Sequence, residues 1–156
     1  MNVILFVEVE SGEECPYSFT KSDGSLLFEY IMENLAASGM VQNVLGKIEK
    51  HFHFDLEPLG RIGGQEFELE DFDMNEEEFN QAKAQNIASW QSPQVLIDCI
   101  QPILAALDEN PDIFSVVDVS ENYFARGVFK QDLVDLLRMI NWANEKGEKK
   151  VRIAGA

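Results

Sequence analysis

The sequence predicts a single α+β domain over residues 1–156, with a mixed or antiparallel sheet of four to five strands packed with about five helices. Two-residue apolar periodicity near both ends of the chain predicts strands. The segments between them carry the three- to four-residue apolar spacing of helices, without the strict alternation of a parallel α/β sheet. A length of 156 residues with 46% hydrophobic residues is enough to bury one core.

The N-terminal part of the chain predicts one strand and two helices. Residues 2–10 are apolar on both faces for half their length, which predicts an interior strand of the sheet. Residues 11–24 contain loop-forming residues, and helical spacing follows over residues 25–38 and 40–52. Residues 55–64 are rich in glycine and proline, so we expect irregular structure there.

The central feature of the sequence is an acidic segment, residues 66–78, which contains no basic side chain. Glutamates at every second position from Glu66 to Glu70 predict a strand that directs a row of carboxylates to water. Asn75 then resembles a helix N-cap, and the glutamates after it oppose the positive end of the helix dipole. We therefore expect a polar surface helix to continue to about residue 89.

The C-terminal half predicts two helices, two strands and a further short strand. Ser92 and Pro93 start a helix that extends to about residue 107, and Pro102 should kink or split it. Strands are predicted over residues 113–119 and 149–154, with a possible short strand over 123–128 and an amphipathic helix over 129–144.

The charge is large, negative and unevenly distributed. The whole chain has a net charge of −16; residues 1–80 hold 18 acidic and 4 basic side chains, a net −14, and residues 81–156 hold 10 and 8, a net −2. Such a surface repels DNA, RNA and anionic lipid and attracts basic proteins. Acidity can also serve solubility alone, and this alternative stays open.

The two cysteines and the N-terminal sequence favour a cytoplasmic protein. Cys15 and Cys99 do not form a disulfide framework, and the N-terminal residues lack the basic and small-residue features of a signal peptide. Cys99 lies among apolar helical residues and should be an unreactive core thiol. Cys15 follows Glu13 and Glu14, which should favour its protonated form and argue against a nucleophile.

No catalytic or metal signature predicts an enzyme or a cofactor. Asp71 begins a segment that resembles a calcium loop, but the glycine and glutamate that an EF-hand needs at its sixth and twelfth positions are Glu76 and Ala82 here. His51 and His53 could share a metal with Asp55. We favour their placement at a helix end, where imidazole suits the negative dipole. The sequence thus predicts no catalytic and no metal-binding residue.

The acidic segment is the predicted partner-binding site. Its carboxylates should speed encounter with a basic protein, and two apolar side chains among them should anchor the complex. The predicted contact residues are Glu66, Glu68, Glu70, Asp71, Phe72, Asp73, Met74, Glu76, Glu77 and Glu78.

The chain resembles the acidic immunity proteins that bacteria encode beside secreted polymorphic toxins. The resemblance lies in the size, the acidity, the α+β order and the C-terminal sequence, in which an amphipathic helix containing Leu136, Leu137 and Trp142 is followed by Gly147 and a short basic strand. It implies inhibition of a cationic toxin domain, often a nuclease, by masking its active face. It covers the architecture and includes no diagnostic motif.

Two other classes of function remain as alternatives. The first is a housekeeping adaptor or oligomer subunit whose acidity serves solubility only. The second is a carboxylate- or metal-dependent enzyme with a site near His51, His53 and Asp55.

Overall fold

The computed structural model describes residues 4–36, 44–63, 75–110, 112–113 and 122–155. The fold is α+β, but the expectation of four to five strands is wrong: the described residues form six α-helices and a mixed sheet of three strands. The helices and strands are α1 (Ser25–Ala36), α2 (Val44–Phe52), α3 (Glu76–Ala88), α4 (Pro93–Glu109), α5 (Asn122–Ala125), α6 (Val128–Glu145), β1 (Leu5–Val9), β2 (Ile62–Gly63) and β3 (Val151–Gly155).

The sheet has the order β1-β3-β2, with β3 in the middle. β1 runs antiparallel to β3, with Val9 opposite Val151, and β2 runs parallel to β3. The interior position predicted for the first strand is wrong for the sheet that the described residues form, because β1 lies at an edge of it. Leu5 and Val7 are buried on one face, whereas Phe6 on the other face is only partly covered.

β2 lies in a region that was predicted to be irregular. A 3₁₀ turn over Glu57–Gly60 leads directly into this two-residue strand. Ile62 lies opposite Ile153 and Gly63 opposite Ala154. Two residues are too few to show a period, so only the pairing with β3 reveals the strand.

The hydrophobic core is built mainly by α4 and α6, which pack against each other, and by the inner face of the sheet. Both helices carry apolar side chains at three- and four-residue spacing, which places them on one face. The amphipathic helix predicted over residues 129–144 is confirmed as α6, and its residues Leu133, Leu136 and Ile140 are fully buried. Val151 and Ile153 of β3 are fully buried as well, as the alternation in the last strand predicts.

α4 begins as predicted and continues through its internal proline. The Ser92 hydroxyl accepts a hydrogen bond from the Gln94 backbone N–H at 3.3 Å, and Pro93 occupies the first turn. Pro102 does not split the helix. Pro102 has no N–H to donate to the backbone carbonyl of Asp98. Because both residues are exposed, this missing hydrogen bond lies on the solvent side of the helix rather than in the core.

The short strand suggested for residues 123–128 is wrong, because Asn122–Ala125 is a helical turn. An aromatic cluster packs around this helical turn. The Tyr123 ring stacks on Tyr30 at 5.4 Å between centroids and meets the edges of Phe124 and Phe129 at 5.2 and 5.9 Å. These contacts join α1, α5 and α6.

Two predicted strands cannot be compared with the structure. Residues 66–70 lie outside the described part of the chain, and of residues 113–119 only Ile113 is described. Ile113 is buried and helical.

Candidate functional site

The acidic segment is described only where it enters α3. Glu66, Glu68, Glu70, Asp71, Phe72, Asp73 and Met74 lie outside the described residues, and so does the start of the calcium-like loop. The predicted N-cap is confirmed, because the Asn75 Oδ1 atom accepts a hydrogen bond from the Glu78 backbone N–H at 2.8 Å. Glu76, Glu77 and Glu78 form the first turn of α3 and are exposed. This arrangement presents three carboxylates to solvent at the positive end of a helix.

Most described carboxylates of the N-terminal half lie at the surface. The exposed ones are Glu10, Glu13, Glu14, Asp23, Glu29, Asp55, Glu57, Glu76, Glu77 and Glu78. Within the described ranges, ion pairs neutralise only two of them, through Lys146 with Glu13 and Arg61 with Glu57. In the described part of this half, most of the acidic charge is therefore directed to solvent without an ion-pair partner.

A groove of about 500 Å³ lies beside β1. One wall is residues 6–9 of the strand, and the other is residues 12–15 of the loop that follows it. The chain reverses between the walls, because the Val9 carbonyl accepts a hydrogen bond from the Gly12 N–H at 3.0 Å. The lining contains three glutamates, Glu8, Glu13 and Glu14, and no basic residue.

On the outer face of the sheet, the Arg152 guanidinium bonds to the carboxylate of Glu8, which lies directly opposite on β1. The Nη2 and Nε atoms lie 2.7 and 2.9 Å from Oε2 of Glu8. The guanidinium also lies over the Trp90 ring, 4.6 Å from its centroid. This arrangement holds Glu8 against the sheet, so its charge is partly neutralised.

Two buried carboxylates on α6 fix the loop between β1 and α1, residues 10–24. The Ser22 hydroxyl lies 2.8 and 2.9 Å from the two carboxylate oxygens of Asp132, and the Tyr123 hydroxyl donates to the same carboxylate at 2.7 Å. One turn away, the Asp135 carboxylate accepts bonds from the N–H and the hydroxyl of Thr20, at 3.0 and 3.1 Å. Asp132 and Asp135 are at most 1% exposed.

Burial alters the acidity of this cluster. It raises the pKa of the Asp132 carboxyl, although the hydrogen bonds from Tyr123 and Ser22 act in the opposite direction. Burial, together with the hydrogen bond and negative charge of Asp132, also raises the pKa of the Tyr123 hydroxyl, so this group remains a donor. The position and partners of the cluster indicate that it holds the loop on α6.

Sequence reasoning missed this pair of carboxylates. The signal was present in the spacing, because Asp132 comes three residues after Phe129 and four before Leu136, on the core-facing stripe of α6. An acidic residue in that stripe needs a buried partner. The partners Thr20 and Ser22 lie more than 100 residues away in sequence, which is why the spacing alone could not identify them.

The histidines lie at the end of α2, as the favoured interpretation predicts. His51 is in the last helical turn, and His53 follows it with φ of 59°. Both side chains and Asp55 are exposed. Among the residues that the structure describes, no group of three or more His, Cys, Asp and Glu side chains is arranged to hold a metal ion.

The two thiols differ in environment. Cys99 is a buried core residue, as predicted; burial raises its pKa to about 12, and the thiol donates to the Asp55 carbonyl at 3.2 Å. Cys15 is half-buried at the groove, and its pKa is raised as expected. The cause is burial rather than the neighbouring glutamates, and the Tyr17 backbone acts against it.

Comparison with known proteins gave no match to a protein-family model, a curated protein or a solved structure. Of the helices in the described residues, none has both the length and the apolar character needed to cross a membrane.

Proposed function

We propose that this chain is a non-catalytic, cytoplasmic binding protein that docks a cationic protein on its acidic surface. We infer further that it is an immunity protein, which masks the active face of a basic bacterial toxin domain. The observation that carries the proposal is the solvent exposure of the carboxylates in the N-terminal half, few of which pair with a cation among the described residues. The resemblance to acidic immunity proteins supplies the class of partner.

The physical basis is long-range attraction. A net charge of −16 on a 156-residue chain produces a negative field that attracts a cationic protein before contact. Charge pairs formed in the complex then select the orientation, while apolar contacts provide much of the affinity. The exposed first turn of α3 is the described end of the acidic segment, so its glutamates are accessible to such a partner.

The test uses the protein encoded directly upstream of this chain's gene, since immunity genes follow their toxins. Expression of that protein alone should arrest growth, and co-expression of this chain should restore it. The purified pair should associate faster at low ionic strength. A non-toxic upstream protein, or one that forms no complex with this chain, would refute the immunity assignment.

A pair of double variants tests whether the position of the charge matters. Glu76→Lys with Glu77→Lys should slow association about tenfold at an ionic strength of about 0.01 M, with little change in dissociation. The difference should largely disappear at 1 M, where the screening length is about 3 Å. Glu109→Lys with Glu145→Lys is the matched control, because it makes the same change in net charge at exposed positions elsewhere.

Stopped-flow fluorescence measures both rate constants, and circular dichroism checks that each variant folds. Equal slowing by the two double variants would show that total charge matters and that the acidic turn is not a docking position. Unchanged association in both double variants would favour acidity as a device for solubility.

A further inference from the structure

The groove beside β1 has a polar backbone edge as one wall. Val151 of β3 exchanges two backbone hydrogen bonds, both of 2.8 Å, with Gln91, which lies on the side of β3 away from β1. Its backbone groups therefore point away from Val9, the residue opposite it on β1. Because hydrogen-bonded and non-bonded pairs alternate in an antiparallel ladder, Phe6 and Glu8 bond to β3.

The same alternation directs the N–H and C=O groups of Leu5, Val7 and Val9 to the outer edge of β1. The Val9 carbonyl confirms this direction, because it accepts its bond from Gly12 on the groove side. Within the described ranges, this is the one backbone hydrogen bond at that edge. The Val7 N–H and C=O thus face the groove in the geometry that an added strand requires.

The opposite wall of the groove is fixed to the rest of the fold. The Ser11 hydroxyl donates to the Glu148 carboxylate at 2.5 Å, and Lys146 forms an ion pair with Glu13. Farther along, Asp132 and Asp135 hold the end of the same loop on α6. A groove with both walls held in place binds with less loss of conformational entropy than one that must form on contact.

The negative charge of the groove indicates which kind of ligand it would bind. Glu14 lines the groove and is exposed, and Glu10 is exposed beside it; within the described residues, neither forms an ion pair. Glu8 and Glu13 add carboxylates that are partly neutralised by Arg152 and Lys146. Alternate side chains of an extended strand point the same way, so lysine or arginine at every second position could face these carboxylates.

We propose that the groove between β1 and residues 12–15 binds an extended, basic segment of the partner protein as an additional antiparallel or parallel strand on β1. This inference rests on the proposed function and makes it specific: the partner contributes a strand whose backbone bonds to Val7. The exposed turn of α3 would then steer the encounter, and the groove would hold the complex together.

The test follows amide hydrogen exchange by NMR in the intact chain. The probe is a nine-residue peptide of alternating lysine and threonine, with both ends blocked. Saturating peptide should slow exchange of the Val7 amide at least about tenfold, because this N–H gains a hydrogen bond. The Phe6 and Glu8 amides, already bonded to β3, should change little. The same peptide with glutamate in place of lysine should have no effect.

Variants then test the role of charge in the groove. Glu14→Lys should weaken peptide binding at least about fivefold, as expected for an opposite charge that becomes a like charge. Glu145→Lys, exposed on α6, is the control and should bind as the unmodified chain does. Peptide binding that leaves Val7 exchange unchanged, or equal effects of the two variants, would overturn the proposal.

Two other occupants of the edge give different results. Slow Val7 exchange that appears without peptide and depends on protein concentration would show that a second copy of the chain pairs with β1. Slow exchange at every concentration would show that another part of the same chain covers the edge. Either result overturns the proposal.

The upstream partner separates this inference from the proposed function. If that partner binds and is inhibited while Val7 exchange stays fast, the groove proposal fails and the immunity assignment survives. If the peptide protects Val7 but the upstream protein neither kills cells nor binds, the groove proposal stands as a peptide site and the immunity assignment fails.

Discussion

Removal of one buried hydroxyl measures how strongly the Asp132 cluster holds the fold together. Tyr123→Phe keeps the ring, whose contacts with Tyr30, Phe124 and Phe129 do not need the oxygen. It removes the 2.7 Å hydrogen bond to the Asp132 carboxylate. A hydrogen bond to a charged group contributes about 1.5–3 kcal/mol, so the free energy of unfolding at pH 8 should fall by about that amount.

The loss should depend on pH in a defined direction. The Tyr123 hydroxyl stabilises the ionised form of Asp132 more than the protonated form, so its removal raises the pKa of that carboxyl further. The cost of Tyr123→Phe should therefore shrink as acid protonates Asp132, toward the roughly 0.5–1.5 kcal/mol of a neutral hydrogen bond.

Urea denaturation followed by circular dichroism gives both numbers. The series should run from pH 8 to pH 5. It stays above the sequence pI of about 4.3 because a chain without net charge tends to precipitate. Tyr17→Phe is the matched control, because Tyr17 is an exposed tyrosine whose ring lies beneath Arg138. It should change stability by less than about 0.5 kcal/mol. Equal losses for the two variants, or a Tyr123→Phe loss that grows in acid, would refute the reasoning.

Two further predictions concern the core and the buried charge. Ile140→Ala should cost about 2–5 kcal/mol in urea denaturation because Ile140 is fully buried on α6, whereas Ile87→Ala, at a side chain 65% exposed, should cost less than about 0.5 kcal/mol. A small loss at Ile140 would contradict the packing of α4 on α6. Burial raises the pKa of the Asp132 carboxyl in the folded state, so the folded chain binds that proton more tightly than the unfolded chain does. The contribution of Asp132 to wild-type stability should therefore fall as pH rises from the ordinary pKa of about 3.9 through the raised pKa. Asp132→Asn lacks this titration, so its stability relative to the wild type should increase as pH rises through the raised pKa of Asp132; a decrease would show that the folded-state pKa is lowered instead.

Local patterns predicted the long elements well and the pairings poorly. α6 and β3 repeat their apolar residues over several turns or alternations, so the correct period could be recognised from sequence. β2 is two residues long and contains a glycine, so it has no local signature and depends on Ile153 and Ala154 of β3. The edge position of β1 follows from the order of the strands in the sheet, and the periodicity of the sequence does not predict that order.

In the candidate site, too, the features set by neighbouring residues could be predicted, and those set by distant residues could not. The capping role of Asn75 and the exposure of the glutamates after it follow from local chemistry, and both were predicted. The groove beside β1 arises because a turn at Gly12 brings the following loop to face the strand. Its second wall is fixed by contacts with Lys146 and Glu148, more than 130 residues later in sequence. The residues near position 12 show no local pattern that would predict contacts with Lys146 and Glu148.

The central position of β3 has a consequence for biosynthesis. β1 and β2 are made early, yet in the observed order each pairs with β3 and not with the other. On the ribosome, the sheet cannot assemble until residues 151–155 have left the exit tunnel, so the backbone edge of β1 that bonds to β3 must wait for that strand. A stop codon before Val151 would leave both early strands without a neighbour, and the nascent product should be a substrate for chaperones and proteases.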